Sequence, residues 1–193
     1  MKEEERERKR IEERKNKYNL TMKQKKQLDE WTGLKCGEIL FDSDIDDWSK
    51  ETSVFNERII GKKQLTFLIE DENNEMFGYY LNTEVIEEYH KWINPDKNSF
   101  EFNLRSKDNR LNQPKKFEIK HLRFGCGIYL FEEKHKRLFG IGDIRIFKKD
   151  NKNESFCEED EYNFNYNNIK NALCGKITPK QFDLKRILVI QMK

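Results

Sequence analysis

The sequence predicts an α+β fold, mainly β, built as a two-sheet antiparallel β-sandwich with edge helices and preceded by a charged N-terminal helix. Two observations favour this fold. Short apolar or alternating segments recur at hairpin spacing between charged or polar turns, as in antiparallel sheets packed face to face. The late run Ile187-Leu188-Val189-Ile190 is apolar without alternation, which indicates a strand buried on both faces.

Length and composition agree with one domain plus an appendage. The chain has 193 residues, of which 38% are charged and 12% are aromatic, and a domain takes ~100–200 residues. Aromatic and aliphatic residues are plentiful after residue 34, so that part can bury a core. The formal net charge is only +2, so any affinity for nucleic acid or for a membrane surface has to come from local patches.

Residues 1–32 are interpreted as a charged helical arm, and residues 33–193 as the folded domain. Three acid–base pairs in the arm have the orientation that stabilises a helix by ~0.2–0.5 kcal/mol per pair. These pairs are Glu4/Arg8, Glu5/Lys9 and Glu13/Lys17. Apolar residues return from Tyr18 to Trp31, so we expect the second half of the arm to dock on the domain, with Gly33 ending the helix.

The remaining elements follow from apolar spacing and turn residues. Two further helices are expected. The first is capped by Thr52 or Ser53 and ends at Gly61, and the second carries apolar residues at helical spacing over residues 83–93. Strands are expected at residues 38–41, 64–70, 76–81, 99–104, 117–119, 127–131, 138–142, 144–147 and 182–192, with a long polar loop at 151–160.

The order of these motifs resembles the TLDc domain, the module of oxidation-resistance and nuclear-coactivator-type proteins. The resemblance covers residues 34–193 and implies a two-sheet sandwich with helices at its edges. The matching motifs are Leu40-Phe41, Ser53-x-Phe55, Leu65-x-Phe67-Leu68-Ile69-x-Asp71, Phe77-Gly78-Tyr79, Phe124-Gly125-Cys126-Gly127, Ile128-Tyr129-Leu130, Leu138-Phe139-Gly140 and Ala172-Leu173-Cys174-Gly175. The chain departs from the family in its shorter glycine run and in an acidic stretch at residues 158–161.

The resemblance implies a non-enzymatic protein that acts through protein–protein interaction. In this family the domain is linked to the oxidative stress response and, in several members, to binding the peripheral sector of the vacuolar proton pump (V-ATPase). The partner-binding surface is expected to include the glycine turn, namely Phe124, Gly125, Cys126 and Gly127. No cofactor is expected.

The alternative function is a stress-responsive regulator that binds nucleic acid through the basic residues of the arm. These residues are Arg6, Arg8, Lys9, Arg10, Arg14 and Lys15. Phosphate binding needs them unneutralised on one face, whereas glutamates of the same segment favour a solvated, self-paired helix. A third class is an antioxidant enzyme that uses Cys126, with His121 as the other member of a catalytic pair. A milder version is an oxidisable sensor thiol, whose pKa a nearby cation such as Arg123 would have to lower. The plainer interpretation is a small apolar thiol.

Two short patterns suggest metal or phosphate chemistry but lack required residues. Asp42, Asp44 and Asp46 begin like a calcium loop, yet Asp47 and Ser53 stand where a calcium hand has Gly and Glu, so we expect a solvated turn that caps the next helix. Residues 140–143 lack the third Gly of a phosphate loop and predict close packing in a strand or bulge. His90, His121, His135 and Cys126 have no ligand spacing, and no metal is expected.

The expected location is the cytoplasm, with the nucleus as the alternative. No apolar run approaches the ~20 residues of a membrane span, and the first residues lack an apolar signal core. Cys36, Cys126, Cys157 and Cys174 are widely spaced, so in a reducing compartment we expect free thiols.

Overall fold

In a computed structural model of the chain, the structure describes residues 4–6, 8, 9, 12, 20–107, 111–122, 125–176 and 180–193. These residues form a mainly β sandwich of two antiparallel sheets with few, short helices, as the sequence predicts. In chain order the elements are α1 (Met22–Thr32), β1 (Cys36–Asp42), α2 (Phe55–Ile59), β2 (Leu65–Asp71), β3 (Met76–Leu81), β4 (Trp92–Ile93), β5 (Phe100–Arg105), β6 (Lys115–Glu118), β7 (Ile128–Leu130), β8 (Arg137–Ile141), β9 (Ile144–Phe147), a 3-10 helix (Lys149–Glu154), β10 (Phe156–Cys157) and β11 (Leu184–Met192).

Over these residues, one sheet has six strands in the order β1-β11-β2-β3-β5-β6, and the other has five in the order β10-β9-β8-β7-β4. Strand β11 lies between β1 and β2 and is antiparallel to both. Its Ile187 and Val189 belong to the core between the sheets, and its Leu188 and Ile190 to a second cluster on the outer side. The prediction that this apolar run is buried on both faces is confirmed.

Aromatic rings join the two sheets. Phe67 of the six-stranded sheet and Phe139 of the five-stranded sheet have ring centroids 5.6 Å apart. Phe55 of α2 stacks on Phe139 at 4.7 Å and meets Phe41 edge-on at 5.1 Å. These rings are fully buried, so α2 contributes Phe55 to the core between the two sheets.

Helix α1 covers the outer face of the six-stranded sheet. It begins with a capping box, in which Thr21 and Gln24 satisfy each other's backbone N–H groups, and it ends at Gly33 with φ of +71°. Leu28 is fully buried, and the Trp31 ring lies 6.0 Å from that of Phe102. The expected docking of the second half of the arm is confirmed, since the chain packs on the sheet from Leu20 onward.

The prediction of a helix over residues 83–93 is wrong. This segment is irregular and ends in β4, which pairs with β7. The Val85 backbone exchanges hydrogen bonds with the segment after α2, accepting from Gly61 at 2.7 Å and donating to Lys62 at 2.8 Å. Tyr89 bridges β7, and His90 has φ of +57°, which interrupts any helix. Pairing with the sheet therefore outweighs the helical spacing of the apolar residues.

Two smaller expectations also need correction. The polar loop at residues 151–160 contains the end of the 3-10 helix and β10, whose Phe156 and Cys157 pair with β9. Helix α2 starts after Val54, which offers no side-chain cap, while the Ser53 hydroxyl accepts the Phe55 N–H at 3.2 Å. No helix within the described ranges is long and apolar enough to cross a membrane.

Candidate functional site

The acidic turn after β1 is held by an ion pair. Asp42 is fully buried and accepts two hydrogen bonds from Arg186, from Nε at 3.0 Å and from Nη2 at 2.7 Å. Asp46 is buried as well and accepts the Asp42 N–H at 2.8 Å. The expectation of a solvated turn is wrong for Asp42 and Asp46, whose carboxylates are held by Arg186 and by backbone amides, whereas Asp44 and Asp47 are exposed. Among the residues that the structure describes, no group of three or more His, Cys, Asp or Glu could hold a metal ion.

The glycine turn predicted to bind a partner is mostly interior. Cys126 and Gly127 are buried, Gly125 is half-buried with φ of +101°, and Phe124 lies outside the described residues. A Cβ atom at Gly127 would lie 1.9 Å from the Ile93 carbonyl oxygen, so β4 packs directly against this turn. Within the described part of this turn, the surface that a partner can touch is Gly125 and the exposed residues around it.

Cys126 and His121 approach each other without forming a nucleophile–base pair. The Cys126 thiol donates to the backbone carbonyl of His121 at 3.6 Å, and a carbonyl oxygen cannot take up the thiol proton. The His121 ring instead lies 5.0 Å from that of Tyr162. Arg123, the cation expected to lower the thiol pKa, lies outside the described residues.

In the segment 140–143, the first two residues end β8, and Gly142 and Asp143 form the tight hairpin turn to β9, where Ile141 pairs with Ile144. Gly142 has φ of +49°, and a Cβ atom there would lie 2.2 Å from Glu101 Oε1. The N–H of Asp143 donates to that same oxygen at 2.6 Å. The predicted close packing is confirmed, and its counterpart is a buried carboxyl group of β5.

Glu101, Asp143 and Tyr166 form a buried cluster between the sheets, which we call the carboxyl cluster. The Tyr166 hydroxyl contacts Glu101 Oε2 and lies 2.8 Å from Asp143 Oδ2. A hydroxyl has one hydrogen, so it donates to one carboxyl group and accepts from the other, which must be protonated. Burial, and then the Asp143 charge, raises the pKa of Glu101 well above its ordinary value. Glu101 is therefore the group that holds the proton.

The carboxyl cluster ties a surface loop to both sheets. Asp143 Oδ2 also accepts the Asp160 N–H at 2.6 Å, and Glu159 accepts the Leu173 N–H at 2.9 Å. Burial raises the pKa of Asp143 to about 6. Glu101 was not predicted from the sequence, because alternation along β5 separates an aromatic side, with Phe100 and Phe102, from a polar side without showing which of them a helix covers. That aromatic side faces α1, and Glu101 faces the space between the sheets.

A row of side chains crosses the outer face of the five-stranded sheet, one residue per strand. Successive members are paired in register across the strands. We call it the aromatic–arginine row, and it consists of Trp92, Tyr129, Gly140, Arg145 and Phe156. The four side chains are partly exposed. The Trp92 and Tyr129 rings are 5.3 Å apart, and the Arg145 guanidinium lies 5.1 Å from the Trp92 ring.

A second tier of residues continues this face at one side of the row. The Arg137 guanidinium lies 5.8 Å from the Phe131 ring and 5.5 Å from the Phe147 ring. The His135 ring stacks on Phe131 at 4.3 Å. Burial, followed by the nearby positive charge of Arg137, lowers the pKa of His135. The neutral imidazole therefore extends the aromatic surface rather than adding charge.

The described part of the arm carries both signs of charge. Arg6, Arg8 and Lys9 are helical and exposed. The acidic residues described alongside them, Glu4, Glu5 and Glu12, are helical and exposed too. The other predicted members of the nucleic-acid arm, Arg10, Arg14 and Lys15, lie outside the described residues.

The sequence matches no protein-family model and no curated protein. Most of the aromatic residues that carry the resemblance to TLDc domains are interior, whereas Tyr129 is partly exposed. Phe41, Phe55, Phe67, Phe77 and Tyr79 are all fully buried. The resemblance therefore concerns the residues that build the sandwich, and a functional surface has to be argued from the exposed side chains.

Proposed function

We propose that this chain is a non-enzymatic interaction module of the TLDc type, which binds a protein partner through the aromatic–arginine row. By its resemblance to that family, it acts in the oxidative stress response or in regulation of the vacuolar proton pump, with a peripheral pump subunit as partner. One observation carries the proposal. The side chains of Trp92, Tyr129 and Arg145 pack together and are partly exposed on the outer face of the sheet, and these three residue types are enriched among the hot spots of protein interfaces.

The row is already ordered for binding. Arg145 Nη1 donates to the carbonyl oxygens of Gly142 at 2.5 Å and Ile144 at 3.0 Å, so the guanidinium is fixed before a partner arrives. Gly140 has no side chain, and a Cβ atom there would lie 3.4 Å from Arg145 Cδ and 3.7 Å from the Trp92 ring, so both side chains pack close to this glycine. Fixed side chains lose little conformational freedom on binding, which would otherwise cost ~0.5–1.5 kcal/mol for each flexible one.

The chemistry of the partner is indicated by what borders the row. An open cleft of about 880 Å³ lies beside it and includes Glu132, Glu133, Glu57 and Glu87 in its lining, with Lys134 as a basic member. His90 lies 3.8 Å from Glu132 and edge-on to the Tyr129 ring, so cleft and row adjoin. A complementary partner presents an apolar patch for the row next to basic side chains for the cleft.

The test is affinity purification of the chain from cell lysate, with mass spectrometry of what is retained. The informative variant is Trp92→Ala, and the matched control is Trp31→Ala, a tryptophan on the outer face of the other sheet that contacts Phe100 and Phe102. Peripheral pump subunits should be retained by the wild type and by Trp31→Ala, and be reduced at least about tenfold by Trp92→Ala, as for an interface hot spot.

Two outcomes would count against the proposal. Recovery of no pump subunit by the wild type removes the pump as partner. Equal recovery by Trp92→Ala and by the wild type removes the row as the binding surface. Both variants are first compared with the wild type in thermal melting, so that a loss of binding is not a loss of fold.

The nucleic-acid alternative is tested by electrophoretic mobility shift with duplex DNA. Deletion of residues 1–19 removes the basic arm and spares α1, which is packed on the sheet. A shift that disappears on this deletion supports the alternative. The mixed charges of the described arm residues favour the first proposal.

A further inference from the structure

Cys157 and Cys174 meet in one corner of the sandwich. Cys157 ends the edge strand β10, and Cys174 lies in the turn before Gly175. Both converge on a single oxygen atom. The carbonyl of Lys180 accepts the Cys157 N–H at 3.2 Å and the Cys174 thiol at 3.7 Å. Each of the two is a free cysteine.

From this geometry we propose that Cys157 and Cys174 are a peroxide-responsive dithiol that closes to an intramolecular disulfide. The proposed modification is the disulfide itself, and it does not require binding of a partner to the aromatic–arginine row. The fold brings these two cysteines together although no cysteine spacing motif relates them in the sequence. An isolated buried thiol has no second thiol with which to form a disulfide.

The two thiols have different chemical roles. The hydrogen bond from Cys157 lowers the pKa of Cys174 against the opposing effect of burial, and the Lys176 amide adds to that lowering. Burial raises the pKa of Cys157 well above its ordinary value. Cys174 is therefore the sulfur that reaches the thiolate form, and Cys157 is the thiol that remains protonated beside it.

The chemistry balances with hydrogen peroxide as the oxidant. The Cys174 sulfur attacks one peroxide oxygen, the O–O bond breaks, an S–O bond forms, and the other oxygen leaves as water. The Cys157 sulfur then attacks the Cys174 sulfenic acid, the S–O bond breaks, and a second water leaves as the S–S bond forms. Two thiols are oxidised and one peroxide is reduced to two waters.

Access to the pair requires little movement of the chain. Both sulfurs are buried, but Gly175, Lys176 and Lys180 around them are partly exposed, so the thiols lie just beneath the surface. Hydrogen peroxide is not much larger than water. The remaining cysteines provide internal controls, since Cys36 is partly exposed on β1 and Cys126 is enclosed by the glycine turn.

The test uses the full chain, reduced, freed of reductant and treated with one equivalent of hydrogen peroxide. Free thiols are alkylated with N-ethylmaleimide, and non-reduced peptides are mapped by mass spectrometry. The expected product is a Cys157–Cys174 cross-linked peptide, with Cys36 and Cys126 alkylated. Closing this loop should raise the melting temperature by roughly 5–10 °C, and the shift should be reversed by dithiothreitol.

Two variants test the order of the steps. In Cys157→Ser, dimedone should label Cys174 after peroxide treatment, because the resolving thiol is gone. In Cys36→Ser, the Cys157–Cys174 link should form as in the wild type. The proposal is overturned if the wild type, which needs no substitution to be tested, keeps Cys157 and Cys174 fully alkylated, or if either one links instead to Cys36 or Cys126.

Discussion

Asp42 and Arg186, 144 residues apart in the sequence, form a buried ion pair with two hydrogen bonds between adjacent strands. Removing Asp42 leaves Arg186 buried with only the half-exposed Asp44 carboxylate within 4 Å among the ion pairs described, and breaking a buried pair costs about 3–5 kcal/mol. Asp42→Asn is therefore expected to lower the free energy of unfolding by about that amount, measured by urea denaturation.

Asp44→Asn is the control for that substitution. Asp44 also approaches Arg186, at 3.4 Å, but its side chain is 46% exposed. An exposed ion pair contributes only about 0–1 kcal/mol. Equal effects of the two substitutions would mean that the buried geometry of the Asp42 pair does not decide its contribution.

The carboxyl cluster should make stability depend on pH in the opposite sense to acid denaturation. Burial raises the pKa of Asp143 from 3.8 to about 6, so between these values the native chain holds a proton that the unfolded chain has released. This contribution is fully present below about pH 4 and is lost as the pH rises through about 6.

Asp143→Asn isolates that contribution. The difference in unfolding free energy between the wild type and the variant should shift in favour of the variant as the pH rises from about 4 to about 6. The matched control is Asp150→Asn, which removes an exposed carboxylate of the 3-10 helix, outside the carboxyl cluster. A flat difference for both would show that the Asp143 carboxyl group ionises normally in the fold.

Alanine substitutions at Gly142 and Gly61 separate the effect of backbone strain from that of steric overlap. Gly142→Ala places a Cβ 2.2 Å from Glu101 Oε1 at a positive φ, whereas Gly61→Ala has a similar positive φ and nothing within 4 Å. The Gly61 variant should lose about 1 kcal/mol from strain. The Gly142 variant should lose about 1–3 kcal/mol more from overpacking. Thermal denaturation of both variants compares the two losses directly.

Helix α1 should contribute to the stability of the whole sandwich. Leu28 is fully buried against the outer face of the six-stranded sheet, so Leu28→Ala is expected to cost about 2–5 kcal/mol. Met22→Ala, at a residue 80% exposed on the same helix, should change stability by less than about 0.5 kcal/mol. If both substitutions were silent in denaturant titrations, α1 would be an appendage rather than part of the fold.

Most of the sandwich was predictable from local patterns, and the reasons for the failures are physical. Strands β3 and β9 occur at their predicted bounds because their sequences are flanked by turn residues on both sides. Strand β4 was missed because a two-residue strand has no periodicity, and the apolar residues before it happen to recur at helical spacing.

The candidate site was far less predictable. The aromatic–arginine row joins residues from five strands, and no pattern along the chain relates Trp92 to Arg145. Cys157 and Cys174 lack a motif spacing, so only the tertiary fold brings them to the same carbonyl oxygen. Glu101 alternates with Phe100 and Phe102, and alternation reveals two faces without telling which one a helix will cover.

The position of β11 has a consequence for how this chain folds. Val189 of β11 pairs with Phe41 of β1 on one side and with Phe67 of β2 on the other. Strands β1 and β2 are therefore joined in the sheet by a strand that comes much later in the sequence. Contacts between such distant segments must overcome a large loop-closure entropy, which slows folding. A chain interrupted before Leu184 would leave two unpaired strand edges open to association with other chains, so completing the fold also protects the protein from aggregation.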